Sequence, residues 1–154
     1  METLSLDLLD LAAIARLAGR AAALAVAGDA LLLEGPLGAG KTAFARAFLR
    51  AATGDALLEV PSPSFTLLQE YTTARGPVTH FDLWRLDGPP DRNVAALSEL
   101  GWEEARDGIV LVEWPDRLGP LRPATALTLK FSFGMGDARQ VRLYGWPTRL
   151  KDLA

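Results

Sequence analysis

Residues 35–42 spell Gly-Pro-Leu-Gly-Ala-Gly-Lys-Thr, which matches the phosphate-binding pattern G-x-x-x-x-G-K-[ST]. The glycines let the backbone curl without a Cβ in the way, so that successive N–H groups point at the α- and β-phosphates. Lys41 supplies a mobile charge for the β- and γ-phosphates, and the Thr42 hydroxyl is a ligand for Mg²⁺. The motif predicts a set of phosphate-binding residues: Gly35, Gly38, Ala39, Gly40, Lys41, Thr42 and Ala43.

The segments on either side of this motif support the same interpretation. Leu31, Leu32 and Leu33 form a short apolar run that is typical of a buried strand. Residues 42–52 have the pattern of a helix, with Gly54 as its terminator. The N-terminus of that helix would face the phosphates, where its unpaired N–H groups and its dipole favour an anion.

Composition limits the class of protein. A chain of 154 residues, about half of them apolar, is expected to form one globular domain over residues 1–154. Its 16 basic and 19 acidic residues give a net charge of −3, and no cluster of basic residues stands out. The chain is therefore a poor candidate for holding nucleic acid alone. The absence of cysteine excludes disulfides and thiolate sites, and fits a cytoplasmic protein.

The apolar N-terminal region is interrupted by charges and lacks a basic leading segment, so neither a signal peptide nor a membrane span is expected. We predict instead an amphipathic helix over residues 7–27, with Asp7 as its N-cap and Gly28 as its end.

Further elements follow from periodicity and turn residues. The patterns predict a hairpin of strands at residues 65–71 and 78–84, a helix over 94–106 broken near Gly101, a buried strand at 109–112, a loop over 115–123, and a last hairpin at 126–133 and 139–144.

Glu113 directly follows the four aliphatic residues 109–112 and therefore lies at the carboxyl end of a buried strand. In open α/β sheets ligands bind at that edge, and in P-loop proteins an acid there helps to hold Mg²⁺ beside the loop threonine. We predict that Thr42 and Glu113 hold the metal. The alternative is a solvated acid at the end of a strand.

Asp82 shares a predicted strand face with Val78 and His80, because side chains alternate along a strand. An acid on that face is suited to orienting the attacking water or a metal-bound water, although an ordinary surface aspartate is the alternative. His80 is the only histidine, and a structural role is the more common one for such a residue. With no cysteine and no second histidine, a zinc site is improbable.

Ser62, Ser64 and Thr66 lie in a loop that contains Pro61 and Pro63. Their hydroxyls could approach a γ-phosphate as those of switch residues do, or form local turn hydrogen bonds. Trp114 could shield the site or close the edge of the core.

The transition state of phosphoryl transfer also needs a cation. Arg85, Arg117, Arg139 and Arg142 are candidates, and the sequence selects none of them. A long arginine-rich lid, typical of small-metabolite kinases, is not evident. The guanine-reading motif N-K-x-D is also absent, which favours adenine.

Four motifs together resemble one family. They are Glu-Gly-Pro-Leu-Gly-Ala-Gly-Lys-Thr at 34–42, Ser-Pro-Ser-Phe-Thr-Leu at 62–67, His-Phe-Asp-Leu-Trp-Arg-Leu at 80–86 and Val-Glu-Trp-Pro-Asp-Arg-Leu at 112–118. Over about residues 11–144 the chain resembles the TsaE (formerly YjeE) family of small ATPases in bacterial tRNA threonylcarbamoyladenosine biosynthesis. The motifs at residues 80–86 and 112–118 are far more specific to this family than the P-loop is.

The resemblance implies an α/β P-loop NTPase fold with a parallel sheet core, flanking antiparallel strands and helices on the faces. It implies that Lys41, Asp82 and Glu113 are catalytic, with ATP or ADP and Mg²⁺ as cofactors, and that Arg139 contacts the nucleotide. It further implies TsaD and TsaB as partners that stimulate weak hydrolysis, with tRNA contacted only through them. Two positions depart from the family pattern. Ala138 occupies a position where the family usually has glycine, and Ile14 lies close in sequence to a position where the family often has threonine.

The leading hypothesis is therefore a partner-regulated ATPase. A small-metabolite kinase would instead require a small acceptor for its nucleotide turnover. A nucleotide-sensing module would bind Mg-ATP without turnover. These two alternatives differ from the leading hypothesis in what happens to the γ-phosphate.

Overall fold

The computed structural model of the chain describes residues 2–63 and 65–154. Along these residues the elements are β1 (Thr3–Leu8), α1 (Leu11–Leu24), β2 (Ala30–Glu34), α2 (Lys41–Thr53), β3 (Leu68–Thr73), β4 (Gly76–Asp82), α3 (Pro90–Glu99), α4 (Trp102–Ala105), β5 (Ile109–Glu113), a 3₁₀ segment (Pro115–Leu121), β6 (Leu127–Phe133), β7 (Arg139–Tyr144) and a 3₁₀ turn (Leu150–Leu153).

The strands form one sheet in the order β1-β7-β6-β2-β5-β4-β3. The four inner strands β6, β2, β5 and β4 run parallel to one another. Antiparallel pairing completes both sides: β7 pairs with β6, β1 pairs with β7, and β3 pairs with β4. The prediction of a parallel core with antiparallel flanking strands is confirmed.

Both faces of the sheet are covered, and alternation along each inner strand divides its side chains between them. In β2, Leu31 and Leu33 pack into the core that contains α1 and α2, whereas Leu32 packs into the core that contains α3, α4 and the 3₁₀ segment. Every residue of β5 is buried, as the unbroken apolar run predicted for a strand covered on both sides.

The predicted N-terminal helix was wrong in its first turn. Residues Thr3–Leu8 form β1, which pairs with β7 in antiparallel register, and Asp10 rather than Asp7 caps α1 by accepting a hydrogen bond from the Ala13 N–H at 2.9 Å. The residues of Thr3–Leu8 alternate between polar and leucine with period two, and β7 provides an edge for them to pair with. No helix among the described residues meets the length and hydropathy required to cross a membrane.

Other predicted boundaries also shifted. The strand expected at residues 65–71 begins only at Leu68, because Leu67 adopts a left-handed conformation (φ 69°) that interrupts extended backbone. The helix expected from residue 94 begins at Pro90, where proline suits the first helical position. The break at Gly101 is confirmed (φ 87°). The loop expected over 115–123 instead contains the 3₁₀ segment.

Candidate nucleotide-binding site

Two inner strands and the P-loop bring the predicted site residues to one edge of the sheet. β2 ends directly before the loop, while β4 and β5 end in Asp82 and Glu113, which lie opposite each other in the parallel register. A cleft of about 1010 Å³ opens at this edge, large enough for a nucleotide. Its lining includes most of the predicted residues: Gly38, Gly40, Lys41, Thr42, Ala43, Asp82, Glu113 and Arg139.

The other two predicted loop residues lie elsewhere. Gly35 borders a second pocket of about 380 Å³ behind the loop. Ala39 is buried, and its N–H donates to the Pro36 carbonyl at 3.2 Å, so that this N–H is engaged within the loop. Their part in holding phosphate therefore stays a prediction.

The beginning of α2 presents unpaired N–H groups to the cleft. Gly40 is the N-cap of α2 at φ 117°, and no side chain caps the helix. The first N–H groups of any helix lack intrahelical partners, so those at Lys41, Thr42 and Ala43 are available to an anion. Ile14 packs against Gly40, since a Cβ built on this glycine would lie 3.2 Å from Ile14 Cδ1.

The loop backbone allows no side chain at its first glycine. Gly35 has φ 140°, and a Cβ there would lie 2.6 Å from the Phe131 carbonyl oxygen. We expect Gly35→Ala to lower the free energy of unfolding by about 2 kcal/mol or more, because the clash is with backbone and the conformation is strained for alanine. Gly19→Ala is the control, because Gly19 lies in α1 with open space around it. The same change there should raise the free energy of unfolding by about 1 kcal/mol. Urea unfolding of both variants checks this, and equal effects would contradict it.

Lys41 carries a buried ammonium group that the protein leaves without a hydrogen bond. The residue is 4% exposed, and Nζ has no hydrogen-bond partner among the described residues. Nζ lies 3.8 Å from the centroid of the Trp114 ring, an aromatic contact that only partly replaces hydration. Burial lowers the pKa of Lys41, against the opposing effect of the Glu113, Asp82 and Asp116 carboxylates. A phosphate would supply the missing acceptors.

Trp114 is held in a strained conformation beside this lysine. Its φ of 60° and ψ of 53° place it in the left-handed region, although the next residue is Pro115, which favours extended backbone before it. Such strain costs about 1–3 kcal/mol. The Trp114 ring also contacts the Trp84 ring, with centroids 4.7 Å apart and the ring planes tilted by 52°, and it is partly buried against the core. Trp114 therefore both lines the cleft and closes the edge of the core.

Glu113 is 3% exposed, and both of its carboxylate oxygens are bonded. Oε1 accepts a hydrogen bond from the Thr42 hydroxyl at 3.1 Å, and Oε2 lies 2.7 Å from His80 Nε2. A hydroxyl and a carboxylate in contact are the hard oxygen donors that Mg²⁺ prefers, so these residues fit the ion. The described residues contain no cluster of three or more His, Cys, Asp or Glu able to hold a metal, so other oxygens would complete its coordination.

Sequence reasoning missed the contact between His80 and Glu113. His80 is fully buried, and its Nδ1 has no hydrogen-bond partner among the described residues. Strand alternation contained the signal: Val78 and Leu111 face the core of α1 and α2, so His80 and Glu113, each two residues further along its strand, face the same side. The histidine fixes the orientation of the acid.

Asp82 lines the cleft and accepts hydrogen bonds from two neighbouring segments. Its Oδ2 accepts from the Ser62 hydroxyl at 3.0 Å, and its Oδ1 accepts from the Trp84 N–H at 3.2 Å. Thr66 instead makes a local hydrogen bond to the Leu68 carbonyl at 3.2 Å, the turn alternative for that hydroxyl. Ser64, the remaining candidate, lies outside the described residues.

Arg139 lies at the start of β7 against the P-loop. Its guanidinium donates to the Gly38 carbonyl at 3.3 and 3.2 Å, and to the carbonyls of Gly136 and Ala138. It also lies 5.0 Å from the centroid of the Phe133 ring. In this arrangement Arg139 holds the loop in place, and direct contact with a nucleotide stays a prediction.

Comparison with known proteins identifies the family and the fold of the chain. The model of the family described as threonylcarbamoyl adenosine biosynthesis protein TsaE matches residues 8–141. The tRNA threonylcarbamoyladenosine biosynthesis protein TsaE of Nostoc is 37% identical over 130 residues, 82% of this chain and 76% of that protein. The Aquifex aeolicus protein of the same name is 34% identical over 129 residues, covering 84% and 86%. The crystal structure of Bacillus subtilis YdiB superposes with a TM-score of 0.74 at 27% identity, covering 99% of this chain and 91% of that one. The chain therefore belongs to the TsaE family of tRNA threonylcarbamoyladenosine biosynthesis.

Proposed function

We propose that this protein is an ATPase that binds and hydrolyses Mg-ATP in the cleft and whose turnover is controlled by TsaD and TsaB. The observation that carries the proposal is the buried Lys41 ammonium, which lacks a hydrogen-bond acceptor among the described residues and stands beside the Thr42–Glu113 pair. A buried charge without acceptors is costly, so such a group is expected to be completed by a ligand. The phosphates of a nucleotide match it in charge and hydrogen-bonding capacity.

Each residue then has a distinct task. Lys41 and the N–H groups at the start of α2 bind the phosphates. Thr42 and Glu113 would hold Mg²⁺, which supplies neutralisation of phosphate charge when bound. His80 keeps the Glu113 carboxylate in place through the 2.7 Å contact.

Asp82 is proposed to orient the attacking water. It is 6% exposed, lines the cleft beside Glu113 of the neighbouring strand, and lies close enough to Lys41 for its carboxylate to oppose the lowering of the pKa of that ammonium. Its contact with Ser62 connects the loop of residues 61–66 to the same carboxylate. Movement of that loop would change the environment of the water, which is a direct route for control by a partner.

The surface around the cleft supports a protein partner. Leu37 in the P-loop, Phe65 and Met135 are 70%, 83% and 92% exposed, and Leu37 and Phe65 line the cleft. Large exposed apolar side chains that lie together at the opening of a cleft, as Leu37 and Phe65 do, are typical of interaction sites. With a net charge of −3, the chain would contact tRNA only through its partners, and we propose that it acts as a single domain in the cytoplasm.

Steady-state ATP hydrolysis by the purified chain, alone and with the TsaD–TsaB complex of the same organism, tests the proposal. We expect slow ADP formation alone and an increase of at least about tenfold with the complex, since a regulated ATPase holds part of its transition-state stabilisation in reserve. Equal rates with and without the complex would contradict partner control. ATP binding with no hydrolysis under either condition would instead support a nucleotide sensor.

A further inference from the structure

Phosphoryl transfer develops negative charge that a P-loop lysine and a metal ion only partly neutralise. An additional arginine commonly completes this neutralisation. Among the described residues, two arginines line the cleft, Arg85 and Arg139. The two arginines differ in the hydrogen bonds that their guanidinium groups already make.

Arg139 is committed to the backbone. All three guanidinium nitrogens donate hydrogen bonds, and the acceptors are the carbonyl oxygens of Gly38, Gly136 and Ala138. Moving this group to a phosphate would remove its hydrogen bonds to the Gly38 and Gly136 carbonyls, whereas the Ala138 carbonyl would keep its hydrogen bond from the Gly134 N–H at 2.9 Å. In this structure Arg139 therefore holds the P-loop and the β6–β7 turn together.

Two further candidates point elsewhere. Arg117 does not line the cleft, and it pairs with Asp116 at 3.3 Å and donates to the Leu86 carbonyl at 3.3 Å. Arg142 lies exposed on β7 opposite Ser5, away from the cleft lining.

Arg85 is held only weakly. It is exposed, and among residues 2–63 and 65–154 it has neither a hydrogen bond nor an ion pair. Its guanidinium carbon lies 4.4 Å from the centroid of the Phe65 ring. Phe65 is 83% exposed, and a cation–π contact in such a place is easily broken. The group is therefore free to move into the cleft.

We propose that Arg85 is the arginine, supplied by the chain itself, that neutralises the γ-phosphate in the transition state, and that Phe65 holds it in a resting position. This inference rests on the proposed ATPase function. Arg85 follows Asp82 by three residues and Phe65 follows Ser62 by three, while Ser62 and Asp82 are joined by a hydrogen bond. Ser62 therefore contacts the water-orienting acid, and Phe65 contacts the arginine.

The step itself balances without any further reagent. The water oxygen forms a bond to the γ-phosphorus, and the bond from that phosphorus to the β–γ bridging oxygen breaks, with its electron pair passing to ADP. One water proton stays on the released phosphate at neutral pH and the other leaves to solvent. Arg85 neutralises the charge on the transferring group, and it neither gains nor loses a proton.

Arg85→Ala, Arg85→Lys and Arg20→Ala form the test set. Arg20 is an exposed arginine in α1 with no hydrogen bond or ion pair among the described residues, so it controls for the change in net charge. Three quantities are measured for each protein with the TsaD–TsaB complex present: the single-turnover rate of ATP hydrolysis, the affinity for Mg-ADP, and the retention of Mg-ADP with aluminium fluoride.

We expect Arg85→Ala to slow hydrolysis by about 100-fold or more and to lose the aluminium fluoride complex, while its ADP affinity changes by no more than about twofold. Arg85→Lys should recover a small part of the rate, since lysine keeps the charge without the planar fork. Arg20→Ala should match the wild type in all three quantities.

A rate for Arg85→Ala within about twofold of the wild type would overturn the assignment of Arg85 and leave the proposed ATPase intact. An equal loss of ADP affinity and of rate would also overturn it, because Arg85 would then be a ground-state binding residue. A wild type that binds Mg-ATP and never forms ADP would overturn the ATPase proposal and this inference together.

Discussion

Replacing Lys41 with methionine is expected to weaken Mg-ATP binding by about 100-fold or more and to leave the nucleotide-free protein at least as stable as the wild type. The loss of affinity follows from the removal of charge-assisted hydrogen bonds to phosphate, each worth about 1.5–3 kcal/mol. The stability expectation follows from the buried Nζ, which has the Trp114 ring and no hydrogen-bond acceptor among the described residues. Removing such a charge should add about 0–1 kcal/mol to the free energy of unfolding.

The pH dependence of that stability difference has a definite sign. Burial lowers the pKa of Lys41 below its usual value of 10.5, so the folded state disfavours the charged form. The cost is fully present at pH values below the folded-state pKa, and it is removed as the pH rises from there towards 10.5. The stability advantage of Lys41→Met should therefore shrink at alkaline pH.

Denaturant unfolding without nucleotide and calorimetric titration with Mg-ATP measure the two effects on the same protein. Lys151→Met is a matched control, because Lys151 is an exposed lysine in the C-terminal 3₁₀ turn. It should leave both quantities unchanged. A Lys41→Met protein that binds Mg-ATP within about threefold of the wild type would contradict the proposed phosphate role, since a neutral side chain lacks the donors that role requires.

Replacing Glu113 with glutamine is expected to remove most of the effect of Mg²⁺ on nucleotide affinity. The amide keeps the size of the side chain and an oxygen for the Thr42 hydroxyl, but it loses the negative charge that the ion prefers. We expect the Mg²⁺-dependent gain in ATP affinity to fall by about tenfold or more, with metal-free affinity little changed. Titrations of ATP with and without Mg²⁺ measure this effect.

Two other variants sharpen the interpretation of Glu113→Gln. Glu113→Ala should additionally destabilise the fold by about 1–3 kcal/mol, because it leaves the fully buried His80 ring without its partner. Asp116→Asn removes an acid whose side chain is 69% exposed and should leave the Mg²⁺ effect intact. If Glu113→Gln keeps the full Mg²⁺-dependent gain in ATP affinity, Glu113 does not hold the ion and other residues do.

The sequence determined the inner part of the sheet well because its signals are local. Residues 109–112 form an unbroken apolar run, and a P-loop typically follows a strand and precedes a helix. Residues 7 and 8 were assigned to the N-terminal helix, and the strand Thr3–Leu8 was not predicted, because its pairing partner β7 lies more than 130 residues away. Only the complete sheet shows that this leucine alternation belongs to a strand.

Some features of the candidate site could likewise be predicted from local sequence signals, and others required the structure. Motif spacing was enough to choose Lys41, Thr42 and Glu113 as a group, and strand alternation placed His80 and Asp82 on one face. The contact of His80 with Glu113 depends on the register between β4 and β5, which periodicity within one strand does not provide. Choosing Arg85 among four arginines likewise required knowing which guanidinium groups were already bonded.

A crystal structure of the protein with Mg²⁺ and a non-hydrolysable ATP analogue tests the central claim most directly. We expect phosphate oxygens within hydrogen-bond distance of Lys41 Nζ and of the N–H groups at the start of α2, with the ion on the Thr42 hydroxyl and near Glu113. A nucleotide bound elsewhere, with Lys41 Nζ still resting 3.8 Å from the Trp114 ring centroid, would contradict it.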